Sequence, residues 1–252
     1  MSRAEKIRED AGRFAAILRM GRHRPAIVGR YLVDQSRYSR IEREGRPDVE
    51  AVRAEYEANA AAGQFEEDWF SGNVVPWCVT LSKVFGRDDP VRILEVGSWE
   101  GRSSLFLLTY FLKGELTCVD TWAGNDEYSY TTTPELSDLE ARFDHNTVVG
   151  AGRVTKHKGF SSHVLPRLVE EQQKFDLIYV DGSHFADDVL TDGINAWRML
   201  EPGGVMIFDD LLWNWYPGAR DNPAWAIDSL LRYHSGEYDV LSVAYQFMLR
   251  KR

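Results

Sequence analysis

The sequence predicts an α/β fold in which helices cover both faces of a mostly parallel sheet. From residue 91 onward, short apolar runs such as VRILEV and FDLIYVD alternate with segments of helical periodicity. Such alternation is typical of parallel strands joined by helices, and uninterrupted apolar runs are typical of strands buried on both faces. The chain has 252 residues, of which 44% are hydrophobic, so it is long enough to bury a full core.

Helices are predicted for the first quarter of the chain. Apolar side chains recur at helical spacing among charges in residues 4–20, and residues 21–46 continue with arginines between tyrosines. After a Gly-Arg-Pro break, residues 49–62 have the pattern of another helix. Residues 1–63 are therefore interpreted as an Arg-rich helical N-terminal extension.

The remaining residues, 64–252, are predicted to form the main domain. After an acidic and aromatic loop, the pattern favours an apolar helix near residues 75–85. Strands are then predicted at residues 91–96, 116–120, 154–159, 175–181 and 203–210. The helices between them are predicted at residues 102–113, 136–148, 161–171 and 186–199. Pro166 indicates a kink or a late start in the third of these helices. Two strand-like runs in residues 238–252 predict an antiparallel hairpin at one edge of the sheet.

Charge is distributed unevenly along the chain. The protein carries 30 basic and 39 acidic residues, yet residues 1–46 have a net charge of +6 and the remaining 206 residues have −15. The acidic surplus argues against nucleic acid or anionic lipid binding to most of the surface by charge alone. A basic extension beside an acidic domain favours contact between them or between subunits, and we expect a homo-oligomer formed through the extension.

The two cysteines, Cys78 and Cys118, lie in apolar surroundings without the spacing of zinc ligands. We expect both to be buried thiols in a reducing compartment. No segment has the composition of a signal peptide or of a membrane span. The sequence therefore predicts a cytoplasmic protein with neither a nucleic-acid partner nor a membrane span.

The ends of the first two predicted strands point to a nucleoside ligand. In open α/β sheets, ligands bind beyond the carboxyl ends of the strands. A glycine-containing turn, EVGSWEGRS, follows the first strand, and Asp120 ends the second strand nineteen residues beyond Gly101. An acidic side chain there can accept hydrogen bonds from both hydroxyls of a ribose. The alternative is a tight strand–helix turn that binds no ligand.

The residue Glu95 distinguishes between two nucleoside ligands. A dinucleotide would bring an anionic pyrophosphate to a turn that begins with a carboxylate, and the two would repel each other. S-adenosylmethionine would instead bring a cationic sulfonium and ammonium. The turn also lacks the third glycine of the dinucleotide fingerprint. Both features favour S-adenosylmethionine over a nicotinamide cofactor.

These residues resemble a known family. The segments ILEVGSWEGRSS, FDLIYVDGSH and LEPGGVMIFDD, together with Asp120, look like motifs of the class I S-adenosylmethionine-dependent methyltransferases. They are most similar to the metal-dependent O-methyltransferases of the catechol and macrolide-sugar type. The resemblance covers about residues 65–250. It implies a seven-stranded Rossmann-like sheet whose last strand is antiparallel.

The resemblance also assigns cofactor-binding positions. The positions expected to bind S-adenosylmethionine are Glu95, Gly97, Ser98, Gly101, Ser103, Asp120, Ser161, Ser162 and Asp181. The first five belong to the methionine-binding turn, Asp120 to the ribose and the two serines to the adenine. Either serine could instead cap the helix that follows, since serine is a favoured N-cap.

A metal site is expected at the ends of the fourth and fifth strands. Asp181 lies 28 residues before the adjacent pair Asp209-Asp210, which matches the family's metal-binding pattern. Three neighbouring carboxylates would repel one another without a cation, and Mg²⁺ or another hard divalent ion prefers oxygen ligands. Some relatives have asparagine where this chain has Asp210, which leaves the metal preference open. The alternative is that Asp181 or Asp209 caps the next segment.

His184 occupies the position of the catalytic base in the sugar-methylating relatives. An imidazole with an ordinary pKa near 6.5 can accept a hydroxyl proton at neutral pH. The resemblance therefore implies Mg²⁺-dependent transfer of a methyl group to a hydroxyl of a sugar, glycolipid, polysaccharide or phenolic natural product. Two alternatives stay open: an S-adenosylmethionine-binding interaction protein without catalysis, and, less favoured, a nicotinamide-dependent dehydrogenase.

Clues to the methyl acceptor are weaker. Aromatic and amide side chains cluster in predicted loops, and they suit a sugar or a phenol because they combine ring faces with hydroxyl acceptors. These residues are Trp69, Phe70, Trp122, Asn125, Asp126, Tyr128, Tyr130, Trp213, Asn214, Trp215 and Tyr216. The same aromatics could instead pack the core.

Overall fold

The computed structural model describes residues 15–18, 20–22, 24–124, 136–218 and 220–252. A seven-stranded sheet with the order β3-β2-β1-β4-β5-β7-β6 forms its centre. Its strands are β1 (Arg92–Val96), β2 (Glu115–Asp120), β3 (Val154–Lys158), β4 (Phe175–Val180), β5 (Leu200–Phe208), β6 (Tyr238–Val243) and β7 (Phe247–Lys251). Strand β7 is antiparallel to both of its neighbours, and the other pairs are parallel. The predicted Rossmann-like sheet with an antiparallel last strand is confirmed.

Helices surround this sheet. They are α1 (Pro25–Glu44), α2 (Pro47–Ala61), α3 (Val74–Leu81), α4 (Arg102–Tyr110), α5 (Leu139–Asn146), α6 (Ser161–Glu170), α7 (Ala186–Met199) and α8 (Pro223–Tyr233). Residues 15–18 and 20–21 are also helical, and short 3₁₀ turns occupy Ser71–Asn73 and Val148–Gly150. Three of the helices begin with proline, which suits the first turn because its missing N–H has no partner there. No helix in the described part of the chain is long and apolar enough to span a membrane.

The structure differs from the sequence prediction in three places. Helix α6 runs through Pro166 without a break, and the buried side chains Val164, Leu165 and Leu168 hold it against the core. Helix α8 has no counterpart in the prediction. The hairpin does lie at the edge, but its second strand, β7, is inserted between β5 and β6.

The sheet separates two apolar cores. Alternate residues of β1 face opposite sides, so Leu94 packs with α6, α7 and α8 while Ile93 packs with α3 and α4. The described part of residues 1–63 contributes to both: Ile17 belongs to the first core, and Val52 and Tyr56 belong to the second. These residues therefore pack as part of the folded body.

Gly97, directly after β1, is held against the next strand end. Its φ is +84°, and a Cβ atom there would lie 1.8 Å from the carbonyl oxygen of Asp181. No rotamer can relieve a clash with backbone. Any side chain at this position must push the ends of β1 and β4 apart.

We expect Gly97→Ala to destabilise the protein substantially. The left-handed backbone costs alanine about 1–2 kcal/mol, and overpacking adds about 1–3 kcal/mol. Urea unfolding of the wild type and the variant measures the loss. Gly29→Ala on α1 is the matched control, because a Cβ there meets nothing within 4 Å and alanine is favoured in helices. Equal stability of Gly97→Ala and the wild type would contradict the close contact.

Candidate active site

A cavity of about 1050 Å³ opens at the carboxyl ends of the parallel strands. Ten of the predicted site residues line it: Gly97, Ser98, Ser103, Asp120, Ser161, Ser162, Asp181, His184, Asp209 and Asp210. Gly101 and Glu95 do not. Gly101 takes the left-handed conformation, with φ +84°, just before the first residue of α4, so its role is to turn the chain into that helix.

Asp120 holds the glycine turn together. Its Oδ2 accepts hydrogen bonds from the backbone N–H groups of Ser98 at 2.7 Å and Trp99 at 2.8 Å, and its Oδ1 accepts one from Trp122 at 2.6 Å. Trp99 and Trp122 both have φ of +46°, a region that non-glycine residues rarely adopt. The carboxylate therefore stabilises a strained turn at the point where the sequence places a ribose.

Glu95, which the resemblance assigns to the cofactor-binding positions, lies behind the turn and does not line the cavity. It is fully buried, it accepts a hydrogen bond from the Ser104 hydroxyl, and its Oε2 lies 3.6 Å from the Cys118 sulfur. Burial raises the pKa of this carboxyl above its ordinary value. Side chains alternate along β1, which places Glu95 on the same face as Ile93, towards α4. The alternation of side chains between the two faces of β1 could have shown from the sequence that Glu95 points away from the cavity.

The ends of β4 and β5 bring Asp181, His184 and Asp210 together. One ligand atom from each lies within 4.8 Å of the others. His184 Nε2 is 2.7 Å from Asp210 Oδ2, and the Tyr245 hydroxyl donates to Asp210 Oδ1 at 2.8 Å. Asp209 does not join this group of three. Its Oδ1 accepts the N–H of Asp210 at 2.7 Å, and its Oδ2 accepts from the Tyr179 hydroxyl.

The carboxylates destabilise one another in their charged forms. Burial, followed by the charges of Asp209 and Asp210, raises the pKa of Asp181 well above its ordinary value. Burial and the charge of Asp210 raise the pKa of Asp209 to about 6. A divalent cation would relieve both effects, and the carboxylate oxygens of Asp181 and Asp210 are ligands that such a cation prefers. The residues therefore fit a divalent metal ion.

A buried chain of hydrogen bonds behind the carboxylates was missed by sequence reasoning. The Tyr179 hydroxyl lies 2.8 Å from Asp181 Oδ2 and also contacts Asp209. Gln246 Nε2 donates to that hydroxyl at 3.4 Å, and Trp77 Nε1 donates to Gln246 Oε1 at 2.6 Å. Tyr179 could have been found, because residues two apart on a strand share a face. Gln246 lies in the turn between β6 and β7 and carries no such signal.

Aromatic rings form part of the cavity wall. Trp213 stacks on His184 with centroids 4.1 Å apart and planes 7° apart, which fixes the imidazole ring. Trp69, with 58% of its surface exposed, also lines the cavity. Phe70 lines it too but, like Trp122, is almost wholly buried and packs in the core. Trp215, Tyr216 and Asn214 lie beyond the wall, and the predicted acceptor contacts Asn125, Asp126, Tyr128 and Tyr130 lie outside the described residues.

Residues 94–211 match the family model described as a methyltransferase domain. No curated protein matches the sequence significantly. Among solved structures, the MycE methyltransferase from the mycinamycin biosynthetic pathway, in complex with Mg, SAH and mycinamycin VI, is 18% identical with a TM-score of 0.55, and 82% of this chain is covered. An O-methyltransferase from Bacillus cereus in complex with SAH is 16% identical, with a TM-score of 0.52 over 89% of this chain and 99% of that chain.

TomG from Streptomyces achromogenes, an O-methyltransferase involved in tomaymycin synthesis and bound to SAM, is 19% identical with a TM-score of 0.50, over 88% of this chain and 96% of that chain. The chain spans 54% of the length of MycE. The likeness to these structures is one of fold. The family model confirms the methyltransferase domain that the sequence motifs indicated.

Asp192 on α7 lies behind the cavity wall, with 1% of its surface exposed. Its Oδ1 has no hydrogen-bond partner, and a Cβ on Gly182 would lie 3.5 Å from its Oδ2. Burial raises the pKa of Asp192 from 3.8 to about 7. The folded chain therefore binds more protons than the unfolded chain between these values, and stability falls as the pH rises through this window.

We expect Asp192→Asn to remove this part of the pH dependence. Between pH 4 and pH 7 the wild type should lose stability relative to the variant by at most about 1.4 kcal/mol per pH unit. Urea unfolding of both proteins at several pH values measures the difference. Asp187→Asn, an exposed residue of the same helix, is the control and should follow the wild type. Parallel stability curves for Asp192→Asn and the wild type would contradict a buried, protonated Asp192.

Proposed function

Because residues 94–211 match a methyltransferase domain and the chain has the class I methyltransferase fold, we propose that it is a divalent-cation-dependent O-methyltransferase. It transfers the methyl group of S-adenosylmethionine to a hydroxyl of a sugar, glycolipid, polysaccharide or phenolic natural product. The observation that carries the proposal is the meeting of Asp181, Asp210 and His184 beside the glycine turn. The complex of MycE with Mg and SAH supports it by analogy of fold.

The glycine turn binds the cofactor. Gly97 leaves the backbone bare where a side chain would collide with Asp181, and Ser98 and Ser103 offer hydroxyls at the wall. Asp120 accepts three backbone hydrogen bonds in the turn and keeps one acceptor site for a ribose hydroxyl. Ser161 and Ser162, at the first turn of α6, flank the adenine. Bound S-adenosylmethionine supplies an electrophilic methyl group on a sulfonium.

The acid cluster holds Mg²⁺ or another divalent cation through Asp181 and Asp210, with Asp209 beside them. A cation held there would lower the pKa of a substrate hydroxyl. His184 is the base. Its Nε2 faces Asp210, so Nδ1 accepts the proton and Asp210 stabilises the resulting imidazolium. Trp213 stacks on the imidazole ring and restricts its orientation.

The proposed metal site and the proposed base, His184, can be tested separately. Asp181→Asn should weaken Mn²⁺ binding, measured by electron paramagnetic resonance, because it removes a charged oxygen ligand. Chelation should abolish methyl transfer, and added Mg²⁺ should restore it.

His184→Ala should keep Mn²⁺ and S-adenosylmethionine binding but lose turnover by about 10²–10⁴-fold, the range of a positioned general base.

The control for His184 is His145→Ala, since His145 is exposed on α5 and does not line the cavity. Loss of Mn²⁺ binding in His184→Ala would assign this residue to the ligands instead. Full activity in chelator would overturn the role of the metal. A protein that binds S-adenosylmethionine but methylates no hydroxyl would favour the interaction protein without catalysis.

We also propose that the chain works in the cytoplasm as a homo-oligomer formed through residues 1–63. The two cysteines are buried free thiols, which suits a reducing compartment. Helix α1 exposes Leu32 and Val33, with 58% and 62% of their surfaces accessible. Exposed aliphatic side chains such as these suit a contact between subunits.

Leu32→Asp should then lower the oligomeric mass that analytical ultracentrifugation measures, because a charge would be buried in the subunit contact. Ser39→Asp adds the same charge to an exposed position of α1 and serves as the control. A wild type that sediments as a monomer would contradict self-association. An unchanged oligomer in Leu32→Asp would place the contact elsewhere.

A further inference from the structure

The described walls of the cavity carry far more acid than base. Glu100 lines the cavity but is paired with the buried Arg142 at 3.2 Å. Beyond it, the acidic lining residues are Glu67, Asp120, Asp181, Asp188, Asp209 and Asp210. A divalent cation and the sulfonium, ammonium and carboxylate of the cofactor together bring three positive charges. The walls therefore stay negative when both are bound.

Arg102 carries the only guanidinium or ammonium among the described residues that line this cavity. It is already engaged. Its Nε donates to the carbonyl oxygen of Glu67 at 2.7 Å, its Nη1 lies 3.4 Å from Asp68, and its guanidinium stacks 4.4 Å from the centre of the Phe65 ring. The described cavity thus offers no free cationic side chain to an anionic ligand.

Aromatic faces complete the surface that an acceptor would meet. Trp69 and Trp213 lie on segments before and after the parallel strands, and both line the cavity. Trp69 is held in place by its loop, because the N–H groups of Glu66 and Glu67 donate to Glu100 Oε2 at 2.9 and 3.3 Å. Ring faces bind flat, weakly polar groups by contact and do not compensate a negative charge.

We propose that the acceptor is a ring without negative charge, such as a neutral sugar or a phenol. The cavity excludes acceptors that carry phosphate, sulfate or carboxylate groups near the reacting hydroxyl, including coenzyme A esters and nucleotide sugars. The acidic walls repel such groups, and no lysine or arginine in the described lining is available to pair with them. This selectivity rests on the proposed methyl transfer and narrows its substrate class.

The test uses a matched pair of catechols, 2,3-dihydroxynaphthalene and its 6-sulfonate. Each is offered with S-adenosylmethionine and Mg²⁺, and the rate of S-adenosylhomocysteine formation gives kcat/KM. We expect kcat/KM for the neutral compound to exceed kcat/KM for the sulfonate by at least about tenfold, since like charges that face each other strongly disfavour binding. Raising the salt concentration should narrow this ratio because salt screens the walls. Comparable values for the two compounds, or a preference for the sulfonate, would overturn the proposal.

A charge variant tests the cause. Glu67→Lys should narrow the ratio of the two kcat/KM values, because it should improve kcat/KM for the sulfonate. The control is Glu170→Lys, which makes the same change in net charge at an exposed position of α6 away from the cavity. This control should leave the ratio unchanged. If Glu67→Lys leaves the ratio of the two kcat/KM values unchanged, the charge of the walls does not cause the selectivity, and the proposal is overturned.

A binding measurement tests this inference independently of the proposed methyl transfer. Tryptophan fluorescence reports binding of each catechol to protein loaded with S-adenosylhomocysteine. If neither compound is methylated, the proposed function fails for this acceptor class, and the binding measurement still decides the inference. Tighter binding of the neutral compound supports it, and equal or tighter binding of the sulfonate overturns it.

Discussion

The close approach of Gly97 to the backbone of Asp181 fixes the spacing between the two halves of the site. The glycine belongs to the turn that follows β1, and Asp181 begins the acidic cluster that follows β4. Parallel pairing of these strands brings their ends to one edge, and the missing side chain lets the two turns touch. The glycine turn and the carboxylates therefore line one cavity, because a single backbone contact sets their separation.

Much of this arrangement is readable in the sequence, since strand ends in an α/β sheet lie together. Asp120, Asp181, His184 and Asp210 follow from that rule and from the family motifs. Glu95 lies behind the turn because of the strand face to which it belongs, and its charge alone does not reveal that face. Helix α8 and the insertion of β7 depend on contacts between distant segments, and local patterns do not encode them. Gln246 is positioned by that insertion, so its place beside Tyr179 could not be predicted.

Charged and apolar residues both contribute to the packing of the N-terminal segment. Its arginines favour contact with an acidic surface, and its apolar residues determine where its described part lies. Ile17 joins the core on one face of the sheet, and Val52 and Tyr56 join the core on the other. Arg24 pairs with Asp228 of α8 at 3.2 Å, so one basic residue lies on an acidic partner of the same chain. Burial of apolar surface outweighs such pairs in energy.

The insertion of β7 between β5 and β6 sets an order of assembly during synthesis. Strand β6 leaves the ribosome before β7, but β7 lies between it and the rest of the sheet. Until residue 251 has emerged, β5 presents an unpaired edge, which is a template for aggregation. Tyr245 and Gln246 lie in the turn before β7 and reach Asp210 and Tyr179 only when that edge closes. A nascent chain that has made every acidic residue of the cluster therefore still lacks the side chains that hold the cluster in place.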